Sequence, residues 1–279
     1  MIRPVQKNLY AVIGNPVQHS LSPVMMNAAF KSLQIPAVYV ALQVDRLKED
    51  LETLHRAGFE GLSVTLPHKE EALRIVETAD ETARAIGAVN TLRRTARGWQ
   101  GWNTDWLGAN RALIRVTPLR GRRALVLGAG GAGRAVAFGL AKEGALVTIS
   151  NRTVDRGKAL ADSLGCRFVS LAELNRAGAG LDFEIVVQCT SVGLMGSALT
   201  SLVSDSFFKP SMVVMDTVYR PLWTEFSSKA RMAGARVIPG WEMLLHQGVA
   251  QLERWLDREI PEEGGIQAMR DVLRRSLGG

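Results

Sequence analysis

Gly128, Gly130 and Gly133 stand in G-x-G-x-x-G spacing between two apolar runs, residues 124–127 and 135–141. This predicts strand, tight turn and helix. The first glycine allows a sharp turn, the second lets backbone approach a pyrophosphate, and the third permits close helix-to-strand packing. The N–H groups that open the helix then face an anion. An ordinary strand-to-helix turn has the same spacing, so the end of the next strand carries the argument. The run 145–149 leads into Ser150-Asn-Arg-Thr153, with no acid where a NAD-binding unit places one for the ribose 2′-hydroxyl. Arg152, with Arg156 one turn on, instead offers guanidinium forks that match a 2′-phosphate in charge and geometry. The cofactor read from these residues is NADP.

A second group of polar residues lies upstream, at 19–22, 63–69, 87–91 and 103–105, each beside a short strand. Lys69 falls in the first turn of a helix, where the dipole disfavours an ammonium; a solvated surface lysine is the other reading. Asp105 stands where a helix-opening acid would. Caps and turns account for each cluster alone, but their shared placement at strand ends points to a site.

The elements that hold these residues follow from hydrophobic spacing. Residues 9–13 form a strand stopped by Gly14-Asn-Pro16, and Ser22 caps a helix that begins at Pro23 with Met25, Met26, Ala29, Phe30 and Leu33 on its apolar face. A strand at 37–43 and a helix on Leu47, Leu51 and Leu54 complete a β-α-β-α start. A strand at 61–66, a helix running through Val76, a helix near 78–85, a hairpin turning at Arg97-Gly98 and a helix from Asp105 follow. After Val116-Thr-Pro118 the pattern changes. Strands at 123–127, 146–150, 184–188 and 212–216 alternate with helices to about Gly240, the signature of a parallel sheet covered on both faces. Gln188-Cys-Thr-Ser-Val-Gly193 closes one of these strands, at the end where open α/β sheets place ligands. Helices at 241–256 and 266–277 finish the chain.

The composition fits two globular domains: 279 residues, 47% hydrophobic and 22% charged. The net charge of +7 is spread among acids, and its densest groups, Arg120-Gly-Arg-Arg123 and Arg93-Arg94 with Arg97, are too short for a nucleic-acid footprint. It suits anionic small ligands. Cys166 and Cys189 have neither metal-ligand spacing nor a bridge framework and read as reduced, buried thiols. Residues 1–7 lack the apolar core of a signal peptide, and no run reaches membrane-spanning length. The expectation is a cytoplasmic protein with no metal, membrane or nucleic-acid partner.

Gly14-Asn-Pro16 with His19-Ser-Leu-Ser-Pro23, Val64-Thr-Leu-Pro-His-Lys69, Gly87-Ala-Val-Asn-Thr91, Asn103-Thr-Asp105, Gly128-Ala-Gly-Gly-Ala132, Asn151-Arg-Thr153, and Gly240 with Met243-Leu244 and Gln247 follow one another in order. Together they make the chain resemble the shikimate dehydrogenase family almost end to end. The resemblance implies an α/β protein of two domains. Residues 1–105, joined by the C-terminal helices 240–279, would be the substrate domain, and residues 106–239 a Rossmann-like NADP-binding domain. It implies reversible reduction of 3-dehydroshikimate to shikimate, with Lys69 and Asp105 as the catalytic pair. Ser20 and Ser22 would bind the substrate carboxylate. Ser63, Thr65, Asn90, Tyr219 and Gln247 would complete the substrate site. The backbone at Gly130, Gly131, Ala132 and Gly133 would hold the pyrophosphate, Asn151, Arg152 and Arg156 the adenosine phosphate end, and Thr190, Gly193 and Val218 would flank the nicotinamide half, with Gly128, Ala129, Thr153 and Gly240 completing the cofactor site. A monomer or homodimer is expected.

Three departures from the family pattern stand out. Ser63 replaces an asparagine, Met26 replaces a histidine, and Trp102 and Trp106 flank Asn103-Thr-Asp105 where smaller groups are usual. Ser63 keeps a quinate or aminoshikimate dehydrogenase in view as a second reading. A non-catalytic NADP-binding module is a third, opposed by retention of both Lys69 and Asp105. The folate-linked methylene dehydrogenases share the two-domain plan, but the N-terminal serine pair favours a small carboxylate.

Overall fold

Strand residues alternate faces, so each apolar strand of this chain serves two cores. The computed structural model describes residues 7–177, 182–194 and 201–278, and the expectation for residues 1–6 lies outside them. The chain divides into two compact units, residues 1–104 with 247–279, and residues 105–246.

The first unit contains β1 (Asn8–Gly14), α1 (Ser22–Ser32), β2 (Ala37–Gln43), α2 (Leu47–Arg56), β3 (Phe59–Val64), α3 (Lys69–Ile75), β4 (Thr78–Ala79), α4 (Glu81–Ile86), β5 (Thr91–Arg94) and β6 (Trp99–Trp102). Its strands form one sheet in the order β2-β1-β3-β5-β6-β4, parallel from β2 to β3 and then antiparallel through the β5–β6 hairpin. Ala11, Ile13, Leu62, Val64 and Leu92 pack on one face with Leu47, Leu51 and Leu54 of α2. The spacing of those three leucines is why α2 forms and where it docks.

Three predicted boundaries change, the first being β3, which covers Phe59–Val64 where 61–66 was expected. Ser22 is the first residue of α1, not its cap: Leu21 holds the cap position, no side chain caps the helix, and the Ser22 N–H is taken by Ser20 Oγ at 3.2 Å. The helix expected near 78–85 begins later, because Thr78 and Ala79 pair with Gln100 and Gly101 of β6, and Asp80 Oδ1 accepts the Ala83 N–H at 2.8 Å as an N-cap.

The second unit contains α5 (Asp105–Ile114), β7 (Arg123–Leu127), α6 (Gly131–Lys142), β8 (Leu146–Asn151), α7 (Val154–Leu164), β9 (Arg167–Ser170), α8 (Leu171–Ala177), β10 (Ile185–Gln188), β11 (Val213–Asp216), α9 (Glu225–Met232) and β12 (Arg236–Ile238). The sheet is parallel throughout, in the order β12-β11-β10-β7-β8-β9. Counted from β7, this is the strand order of dinucleotide-binding sheets, with a switch point between β7 and β10. Ala124, Val126, Ile185, Val187, Val213 and Met215 enter one core, and Leu125, Leu127, Val186 and Val214 the other. Strands β9 and β12, not singled out by spacing, are short edges. Cys189 is buried, but Cys166 is only half-buried, contrary to expectation.

Helix α10 (Gly240–Leu256) starts in the second unit and continues into the first, and α11 (Gln267–Ser276) follows. In the first unit α10 is anchored by Trp255, whose indole lies 5.0 Å from the Tyr10 ring and donates Nε1–H to the Leu92 carbonyl at 2.9 Å. Met25 and Met26 are fully buried, and a β-carbon at Gly248 would press on both methyl groups. Met26 is thus core, as its place on the apolar face of α1 predicts. Among the described residues, no helix is long and apolar enough to cross a membrane, and no cluster of three His, Cys, Asp or Glu is arranged for a metal.

Candidate active site

In the first unit the polar side chains converge on Asn90, which is 2% exposed. Its Oδ1 accepts the Thr104 N–H at 2.7 Å and the Thr91 hydroxyl at 2.8 Å. Its Nδ2 donates to Thr104 Oγ1 at 3.0 Å and reaches Gln247 Oε1 at 3.4 Å. Its own backbone accepts the Val64 N–H at 2.8 Å. A buried amide with every polar atom engaged is rigid, because breaking any bond leaves an unpaired group away from water. Asn90 and Gln247, predicted separately, are therefore brought together.

Ser63 sits in a hydrogen-bonded chain inside the unit. Tyr39 Oη donates to Ser63 Oγ at 2.6 Å, and Ser63 donates to Gln251 Oε1 at 2.7 Å; Gln251 Nε2 then donates to the Asn90 carbonyl at 3.1 Å. The serine hydroxyl is engaged on both sides inside the unit and serves to link β2, β3 and α10. Sequence reading missed Tyr39, Gln251 and Thr104. Gln251 lies one helical turn after Gln247, the spacing that puts two side chains on one face, and was open to notice.

Lys69 opens α3 and is half-buried, and its carbonyl accepts the Val89 N–H at 3.0 Å, which ties the lysine to the backbone that carries Asn90. Thr65, also half-buried, accepts the His68 N–H through its carbonyl at 3.0 Å, so it turns the chain from β3 into α3. Ser20 and Ser22 sit together, with Ser22 buried and Ser20 half-buried. Asp105 is buried at the start of α5, directly after Thr104.

In the second unit the glycine turn has the geometry its spacing predicts. Gly128 has φ +113°, a conformation that side chains disfavour, and a β-carbon at Gly133 would overlap the Gly128 carbonyl. At Gly130 an added β-carbon would meet nothing within 4 Å. Gly131 opens α6, which has no side-chain cap and no acid in its first turn, so its N–H groups suit an anion. Asn151 Oδ1 accepts the Ala129 N–H at 3.2 Å, and Asn151 Nδ2 donates to the Thr153 carbonyl at 2.9 Å. Arg156 Nε donates to the Ala129 carbonyl at 3.1 Å, and both Arg152 and Arg156 are exposed beyond β8. Ala132 is half-buried one residue into α6.

Thr190 and Gly193 follow β10, and Val218 and Tyr219 follow β11, all beyond strand C-termini. Between these turns lies Asp216, the last residue of β11. It is 1% exposed, and burial pushes its carboxyl up to about 6 despite hydrogen bonds from Thr224, Val218 and Gln188. Gly240 packs on the same turn: a β-carbon there would lie 2.5 Å from the Asp216 carbonyl oxygen.

Comparison with known proteins meets this geometry. The family described as "Shikimate dehydrogenase substrate binding domain" matches residues 12–92, "Shikimate / quinate 5-dehydrogenase" matches 110–199, and "Shikimate 5'-dehydrogenase C-terminal domain" matches 240–274. The chain belongs to the shikimate dehydrogenase family. Its relative from Syntrophobacter fumaroxidans, a shikimate dehydrogenase (NADP(+)), is 63% identical over 99% of this chain and 97% of its own. Among solved structures, the Thermus thermophilus shikimate 5-dehydrogenase in complex with NADP(H) and shikimate is 37% identical, with a TM-score of 0.84 over 95% of this chain and 99% of its own. The Corynebacterium glutamicum quinate dehydrogenase in complex with NAD has the same TM-score at 27% identity, over 96% of this chain and 99% of its own. Family membership accounts for the two-sheet α/β plan. The hydrogen-bonded chain Tyr39–Ser63–Gln251 is read from the geometry itself.

Proposed function

We propose that the protein is an NADP-dependent dehydrogenase that reversibly reduces 3-dehydroshikimate to shikimate. The near end-to-end relative at 63% identity carries this reading. The second unit supports the cofactor: an uncapped helix start behind a glycine turn, no acid at residues 150–153 where β8 ends, and Arg152 exposed there for a 2′-phosphate. When bound, the reduced nicotinamide supplies the hydride.

The remaining roles belong to side chains. Lys69 and Asp105 form the proposed catalytic pair, with Lys69 giving a proton to the ketone oxygen in reduction and taking it back in oxidation. Ser20 and Ser22 bind the carboxylate, and Thr65, Asn90 and Gln247, with Tyr219, bind the hydroxyls and ketone side. Ser63 supports this site by holding Gln251 against the Asn90 carbonyl, so its short side chain does not argue against shikimate. Thr190, Gly193, Val218 and Gly240 flank the nicotinamide end. The proposed domain limits are residues 1–105 with 240–279 for substrate and 106–239 for NADP, in a cytoplasmic monomer or homodimer.

The test is initial rates with shikimate and with quinate, each with NADP and NAD, repeated on Lys69→Ala. Preference for shikimate with NADP, reduced about 10²- to 10⁴-fold in the variant, is expected. Preference for quinate would move the protein to the paralogous activity, and tight NADPH binding without turnover of either acid would favour a binding module.

A further inference from the structure

Asp216 is a buried carboxylate that the proposed chemistry does not use. Three neutral groups donate to it: Val218 N–H at 3.0 Å and Gln188 Nε2 at 3.2 Å on Oδ1, and the Thr224 hydroxyl at 2.5 Å on Oδ2. Gln188, itself 1% exposed, pairs in register with Asp216 across β10 and β11. Gln188 Nε2 also donates to the Val192 carbonyl at 2.9 Å, and its Oε1 accepts the Thr190 N–H. One carboxylate therefore holds the turn after β11 directly and the turn after β10 through one amide. Both turns leave strand C-termini on the side of the sheet's switch point where ligands bind. Thr224 adds a third anchor, because its hydroxyl accepts the Ser227 N–H and caps α9. Gly240 closes the far side of the 216–218 backbone.

A buried carboxylate faced by neutral donors is costly to the fold compared with an apolar side chain of similar volume. Such a group gains most by fixing geometry that a softer contact would leave loose. We propose that Asp216 is a positioning residue, a clamp that sets the turns 189–193 and 217–219 against the nicotinamide half of the cofactor and has no part in holding the adenosine half. This rests on the assignment of Thr190, Gly193 and Val218 to the nicotinamide end.

Two variants test it. Asp216→Asn keeps the shape and one acceptor but turns a donor toward Thr224. Gln188→Met cuts the link to the turn after β10 and leaves the carboxylate its other two donors. Direct binding is measured with NADPH and with adenosine 2′,5′-bisphosphate, which lacks the nicotinamide half, alongside kcat and KM for NADP with shikimate. Each variant should weaken NADPH binding and kcat/KM for NADP about tenfold or more while adenosine 2′,5′-bisphosphate binds within about twofold of wild type. Equal loss of both ligands would make Asp216 a general fold element, and no loss of either would make it inert; both overturn the clamp. If Asp216→Asn does not fold, Gln188→Met decides alone. Wild-type protein that binds NADPH but turns over no shikimate would defeat the functional reading, and the NADPH to bisphosphate ratio would still judge the clamp.

Discussion

Asn90 Oδ1 accepts the backbone N–H of Thr104 at 2.7 Å, so one amide fixes the stretch that leads directly into Asp105. Both residues are buried, and Asn90→Ala would leave that N–H without a partner. The variant should lose about 2 to 3 kcal/mol of stability. Urea unfolding measures this, and a midpoint equal to wild type would show that water replaces the amide.

The Tyr39–Ser63–Gln251 chain makes a sharper forecast. Ser63→Ala leaves the Tyr39 hydroxyl and the Gln251 carbonyl oxygen facing each other's empty place, and should cost about 1 to 3 kcal/mol. The double variant Ser63→Ala with Tyr39→Phe also removes the hydroxyl that lost its Ser63 acceptor and should cost less than the sum of the single changes. Strict additivity in thermal unfolding would mean that the hydroxyls act independently.

Two glycines of the same turn should fail in different ways. Gly133→Ala drives a methyl into the Gly128 carbonyl and should unfold or severely destabilise the second unit. Gly130→Ala meets open space, so it should melt like wild type yet bind NADPH more weakly, because the methyl occupies the approach proposed for the pyrophosphate. Unimpaired NADPH binding by Gly130→Ala would place the phosphates elsewhere.

The two arginines after β8 separate as well. Both are exposed, but Arg156 also holds the Ala129 carbonyl. Arg152→Ala should raise KM for NADP about tenfold and leave KM for NAD unchanged. Arg156→Ala should impair both cofactors by loosening the glycine turn. The comparison of the four KM values decides, and an equal effect of Arg152→Ala on NAD would remove it from the 2′-phosphate site.

Asp216 also sets a pH dependence. Its carboxyl is raised from 3.8 to about 6, so the folded chain keeps this proton after the unfolded chain has lost it. Stability from this group is therefore highest below about pH 4, falls through about pH 6, and is constant above, a loss of about 3 kcal/mol. Asp216→Asn cannot titrate. The unfolding free energy of wild type minus that of the variant should decline across this window, and a flat difference would contradict a raised value.

The glycine spacing, the missing acid where β8 ends and the alternating apolar runs were legible because each is a local pattern with a local cause. They determined a parallel nucleotide-binding sheet, an NADP preference and the position of Lys69 at a helix start. The start of α1 was misjudged by one residue, since Ser20 rather than a cap takes the Ser22 N–H. Thr78 and Ala79 were misjudged because pairing with β6, a contact distant in sequence, outweighed their helical setting.

What only the tertiary structure decided is who meets whom. Ser63 links Tyr39 and Gln251, residues 24 positions before it and 188 after it, a pairing that no local spacing declares. Asp216 looked like the end of a strand, and became the point where two turns and the α9 cap are tied. Residue type and spacing declare which bonds a side chain is able to make. The partner that satisfies a buried hydroxyl or carboxylate is chosen by strand order and helix docking, which bring distant segments within 3 Å and exclude the water that would otherwise serve.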